Sequence, residues 1–67
     1  MPKLRTGDGR EILIEIVTLG AFAKVTAIDS ATGTEVSLTG PSHASRASLE
    51  AAAIGKLQLV MKKKSAR

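Results

Sequence analysis

Cysteine, tryptophan and tyrosine are missing from this chain of 67 residues, which also has a single phenylalanine, a single histidine and two prolines. Without cysteine there is no disulfide, no thiolate metal site and no cysteine nucleophile, so a reducing compartment suits the chain. With Phe22 the only aromatic, there is no platform on which unpaired bases could stack. The core must then be built from Ile, Leu, Val and Ala. One histidine with scattered carboxylates gives no metal-ligand spacing. Long apolar runs are missing as well: Ile12-Leu13-Ile14 is cut by Glu15, far short of a membrane span or a signal segment. These absences point to a cytoplasmic chain with no membrane partner and no cofactor.

What is there is a hydrophobic content of 43% and a net charge of +4. The first is too high for a disordered segment. The second sits at the ends. Lys3, Arg5 and Arg10 against Asp8 give residues 1–10 a net +2, and Lys62, Lys63, Lys64 and Arg67 give residues 62–67 a net +4. Residues 11–61 are net −2, so the part with core-forming sequence is acidic and the basic excess lies in the tails.

Residues 1–10 show no periodicity, and Gly7-Asp8-Gly9 is turn chemistry, which predicts a flexible leader. Residues 11–19, EILIEIVTL, are rich in β-branched side chains and predict a strand. Gly20-Ala21 then supplies a two-residue hairpin loop with glycine where φ must be positive. That loop sets a register: Ile12 faces Asp29, Ile14 faces Ala27, and Ile16 faces Val25 on an apolar face. Leu13 with Ile28 and Val17 with Lys24 fall on the mixed face. The segment Ser30-Ala31-Thr32-Gly33 reads as a four-residue loop ending in a left-handed glycine, and lacks the glycine spacing and lysine of a phosphate loop. It places Val36 opposite Ala27 and Leu38 opposite Val25. Two independently placed turns thus put the apolar residues on one face.

Gly40-Pro41 is expected to end the ladder. Ser45 is the expected helix cap, and Leu49, Ala53, Leu57, Val60 and Met61, with Ile54 at the edge, form a stripe at helical spacing. The fold class is therefore α+β: a three-stranded antiparallel β-meander with one C-terminal α-helix packed on one face (β-β-β-α). Its expected parts are a leader at 1–10, a single domain at 11–62 and a basic tail at 63–67.

The segment KVTAIDSATGTEVSLTGPS, followed by an alanine-rich helix ending in lysines, resembles a small uncharacterised domain family found mainly in alphaproteobacteria. The specific parts are Ala27 to Asp29, Thr32 to Val36, and Gly40-Pro41. The resemblance spans residues 11 to 61 and implies a bacterial origin and the same fold, with no activity to carry over.

Candidate sites are few. His43 beside Ser42 lacks an orienting carboxylate, and Glu15 and Glu35 fall on non-adjacent strands, so no catalytic residue is assigned and no enzyme is expected. A protein-interaction module is the expected function. Leu13, Val17, Phe22 and Ile28 on the outer sheet face are the candidate contacts, beside a nearly uncharged edge strand. The partner would be another protein or a weak homo-oligomer; the competing possibility is that residues 1–10 fold back over that edge and leave a monomer. On the helix, Ser48, Ala52, Gly55 and Leu59 make a second smooth strip. The alternative is nucleic-acid binding through the tails with Arg46, Lys56, Lys62, Lys63 and Lys64. Three strands and a helix resemble the later part of double-stranded RNA-binding domains, but the opening helix and a lysine cluster at the start of the last helix are missing.

Overall fold

The protein is described by a computed structural model covering residues 3–5 and 11–65. In chain order it forms β1 (Lys3–Arg5), β2 (Glu11–Leu19), β3 (Phe22–Asp29), β4 (Glu35–Pro41) and α1 (Arg46–Ser65). The strands make one antiparallel sheet in the order β1-β2-β3-β4, with the helix on one face over β3 and β4.

Both hairpins have the register that their turns dictate. Ile12 pairs with Asp29, Ile14 with Ala27 and Ile16 with Val25. Ala27 pairs with Val36 and Val25 with Leu38. Gly20 has φ +61° and Gly33 has φ +76°, the two positions where the chain needs a left-handed backbone that side-chain-bearing residues resist. Ala21 keeps a negative φ, which fits the turn type with glycine first.

Because side chains alternate along a strand, this register buries Ile12, Ile14, Ala23, Val25, Ala27 and Val36 together. The helix completes the core with Leu49, Ala53 and Leu57, while Ile16, Leu38, Ile54, Val60 and Met61 pack at its margin. Helix and sheet approach closely where the side chains are small. A Cβ at Gly40 would stand only 2.9 Å from Leu49 Cδ2, so glycine there makes room for the leucine. Ser45 caps the helix as expected: its Oγ accepts from the Ser48 N–H at 3.1 Å, and the Leu49 N–H donates to Ser45 O at 3.1 Å.

The chain departs from its sequence-based reading at two places. The meander and helix are as expected, but the segment predicted as a flexible leader contributes β1, which pairs Lys3 with Leu13, Leu4 with Ile12 and Arg5 with Glu11. These three further ladder positions satisfy backbone groups on the outer edge of β2. The rest of that segment lies outside the described residues. Gly40-Pro41 ends the ladder as expected, with both residues still inside it. Phe22 pairs with Pro41, and the Ser42 N–H donates to Ala21 O beyond it at 2.9 Å. On an edge strand the missing proline N–H deprives no neighbour of a bond. Finally, α1 runs three residues past the expected boundary at 62, through Lys63 and Lys64 to Ser65. Lysine is a good helix former, and its charge complements the negative end of the helix dipole.

Val25 is fully buried at the centre of β3. Val25→Ala is expected to lower unfolding free energy by about 1–3 kcal/mol through lost burial and the cavity left behind. Denaturant titration measures it, and an unchanged midpoint would place Val25 outside the core.

Candidate functional site

The outer face of the sheet carries the apolar residues singled out above. Val17 is 43% exposed, Leu19 65% and Phe22 62%, and Leu19 pairs with Phe22 across the first turn. Leu13 and Ile28, paired with each other further along, are half-buried. Thr18, on the helix-side face of β2, is exposed too, so the tip of the β2–β3 hairpin projects beyond the cover of the helix.

The backbone edges flanking this face differ. The Ser30 N–H donates to Glu11 O at 3.2 Å. In an antiparallel pair the hydrogen-bonded positions alternate, so Leu13, Glu15, Val17 and Leu19 also turn their backbone groups to β3. Ile12, Ile14, Ile16 and Thr18 turn theirs outward. β1 covers this edge only as far as Leu13. From Ile14 to Thr18 the outward N–H and C=O groups meet no strand among the described residues, and Glu15 is the only charge there.

The opposite edge is guarded. The Asp29 N–H donates to Thr34 O at 2.8 Å, so by the same alternation Glu35, Ser37, Thr39 and Pro41 face away from β3. Lys56 reaches from α1 and donates from Nζ to Ser37 O at 2.9 Å. The Ala44 N–H takes Pro41 O at 3.1 Å, and proline offers no donor. A lysine across the edge and a proline on it are two recognised ways of blocking strand addition.

The charged candidates for nucleic acid are divided. Lys56 is held on Ser37 O, and Arg46 donates from Nε to Glu50 Oε2 at 2.8 Å, one helical turn on. Lys62 and Lys63 are exposed near the helix end, and Lys64 belongs to the same last turns. The structure does not bring these cations together with Arg46, which opens the other end of the helix. In the smooth helix strip Ser48, Ala52, Gly55 and Leu59 are all exposed, and a Cβ at Gly55 would meet nothing within 4 Å.

Asp29 is the one buried charged side chain among the described residues, and the sequence reading gave it no role. Its Oδ2 accepts from the Thr32 N–H at 3.1 Å and from the Thr32 hydroxyl at 2.7 Å. With that hydroxyl proton committed, Thr32 Oγ1 accepts from the Thr34 hydroxyl at 2.8 Å and from the Thr34 N–H at 3.2 Å. The Gly33 N–H donates to Asp29 O at 2.8 Å and closes the loop. These amides are turned into their own turn, so the glycine-and-hydroxyl stretch is a self-satisfied turn, not a cradle for phosphate. The available signal was the pairing of an aspartate with Ile12 on the apolar face.

His43 is exposed in the turn between Pro41 and Ala44. Glu15 and Glu35 are exposed on β2 and β4, with β3 between them. Among the described residues no group of three His, Asp or Glu side chains is placed to hold a metal ion. Among the described residues no helix is long and apolar enough to cross a membrane.

Fold and site together define a small α+β domain whose sheet has one guarded edge and one edge that, among the described residues, is covered only as far as Leu13. The chain belongs to the family described as Domain of unknown function (DUF6898), whose model matches residues 9–64. No curated protein and no solved structure matches it.

Because Asp29 anchors both the Thr32 amide and its hydroxyl, Asp29→Ala should cost about 1–3 kcal/mol, and Asp29→Asn, which keeps an acceptor oxygen, markedly less. Chemical denaturation of both variants measures this. No loss in Asp29→Ala would mean that the carboxylate does not hold the turn, and a loss in Asp29→Asn as large as in Asp29→Ala would mean that an acceptor oxygen alone does not suffice.

Proposed function

We propose that this chain is a non-catalytic protein-interaction module that receives an added strand along β2 from Ile14 to Thr18. The observation that carries the proposal is the difference between the two sheet edges. Ser37 O and Pro41 O on β4 are already engaged and Pro41 has no N–H, whereas the outward groups of Ile14, Ile16 and Thr18 have no strand beside them among the described residues. An added strand would satisfy those groups through main-chain hydrogen bonds, and Val17, Leu19 and Phe22 beside them would give the contact its apolar component. The catalytic alternative has little to work with. His43 stands in a turn, and the buried Asp29 carboxylate is occupied by Thr32. Nucleic-acid binding, the alternative that net charge suggests, would draw on Arg46 and Lys56, and both are engaged within the fold. The contact takes place in the cytoplasm.

The test uses two proline variants of the tagged full chain. Thr18→Pro removes an outward N–H from the open edge without breaking a ladder bond to β3, and Thr39→Pro does the same on β4. A protein captured by the parent chain in nuclease-treated extract should be lost with Thr18→Pro and kept with Thr39→Pro. Capture that resists Thr18→Pro, or that disappears on nuclease treatment alone, would contradict the proposal.

A further inference from the structure

We infer that the strand received by β2 is β2 of a second copy of this chain, paired antiparallel about a two-fold axis through Val17. This rests on the strand-addition reading above and names its occupant. The open segment is its own complement, and the structure narrows the possible registers to one. For the two sheets to continue as one, outer-face residues must meet outer-face residues, so the axis passes through a residue and not between two. An axis through Glu15 sets two carboxylates directly opposite each other, which is destabilising. An axis through Ile16 puts the second copy's Leu19 opposite Leu13, a place already held by Lys3 of β1. An axis through Thr18 leaves only that residue's own outward groups hydrogen-bonded across the interface.

The axis through Val17 avoids all three faults. Ile16 of each copy meets Thr18 of the other, and these are the residues whose N–H and C=O groups point outward, so both residues of each pair exchange bonds. Glu15 falls opposite Leu19, which keeps the two carboxylates on opposite sides of the axis. Lys24, the cross-strand neighbour of Val17, lies three strand spacings of about 4.8 Å from its counterpart, beyond the roughly 8 Å range of unscreened charge at physiological salt. Val17, Leu19 and Phe22 of both copies then form one apolar cluster on the outer face, and the half-buried Ile16 gains cover from Thr18 on the inner one. Both helices lie on the same face of a continuous sheet, away from the axis.

The size of the contact sets its strength. A stable dimer needs about 800 Å² buried per partner, close to a fifth of the 4363 Å² this chain exposes. Pairing over so few residues buries less, so the dimer is weak and concentration-dependent. Strand addition at this edge also explains why β4 is guarded and β2 is not: a second open edge would turn a closed two-fold pair into an endless sheet.

Sedimentation velocity of the purified full chain from micromolar to millimolar concentration should show a reversible monomer–dimer equilibrium. Val17→Lys sets two ammonium groups across the axis and should sediment as monomer throughout, as should Thr18→Pro, with circular dichroism checking that each variant is folded. The register has its own readout, because the chain has no cysteine of its own. Val17→Cys places two thiols in a non-hydrogen-bonded pair with Cα atoms about 4.5 Å apart, within disulfide reach, and should oxidise rapidly to a covalent dimer, whereas Leu19→Cys should not. A parent chain that stays monomeric at every concentration overturns the inference. If Thr18→Pro nevertheless abolishes capture of another protein, strand addition stands with a different occupant; if it changes nothing, strand addition fails with it. A dimer that survives Val17→Lys, or that cross-links through Leu19→Cys and not Val17→Cys, overturns the register.

Discussion

The register of β3 between its two neighbours is the constraint on which everything else depends. Val25 stands between Ile16 and Leu38, and Ala27 between Ile14 and Val36. Because side chains alternate, a slip of one residue at either turn would move a whole set of apolar side chains from the helix to the solvent. Two glycines with positive φ and one buried aspartate hold that register. The small residues on the inner face, Ala23 and Ala27 with Gly40 beside them, then let Leu49, Ala53 and Leu57 lie against the sheet. In a domain of this size, where only roughly 60% of the chain's surface can be buried, that contact between helix and strands is what closes the core.

The same geometry leaves a cost at the margins. The helix lies over β3 and β4 and leaves the end of the β2–β3 hairpin uncovered on both faces. On the β4 side the fold answers with Lys56 and Pro41. On the β2 side, among the described residues, it answers only for Glu11 to Leu13, through β1. Backbone groups left to water are tolerable, but beside exposed Val17, Leu19 and Phe22 they make a surface on which an added strand gains hydrogen bonds and apolar burial at once.

How much of this was legible in the sequence depended on how local the signal was. Gly20-Ala21 and Ser30 to Gly33 fix turn lengths within a few residues, and once turn length is known the pairing of Ile14 with Ala27 or of Val25 with Leu38 follows by counting. The stripe of Leu49, Ala53 and Leu57 is equally local. The sequence carried no comparable sign of β1, because three residues, Lys3 to Arg5, are too few to display a period and their pairing depends on an edge created elsewhere in the chain. Pro41 marks the end of the ladder because proline lacks a donor, and its place on an edge strand lets it still pair with Phe22. The Lys56 to Ser37 bond joins residues 19 positions apart and depends on where the helix comes to lie. Of the candidate contacts, Val17 and Phe22 are open to solvent while Leu13 and Ile28 are half-buried, a distinction set by the tip of the hairpin projecting beyond the helix, which periodicity alone does not describe.

The open edge makes a direct statement about individual amides. In dilute chain, residue-resolved hydrogen exchange along β2 should alternate, with Glu15 and Val17 protected by β3 and Ile16 and Thr18 exchanging fast because their N–H groups face solvent. Uniformly slow exchange from Ile14 to Thr18 in the monomer would show that the edge is already covered within the chain and would contradict the proposal that a partner strand is received there.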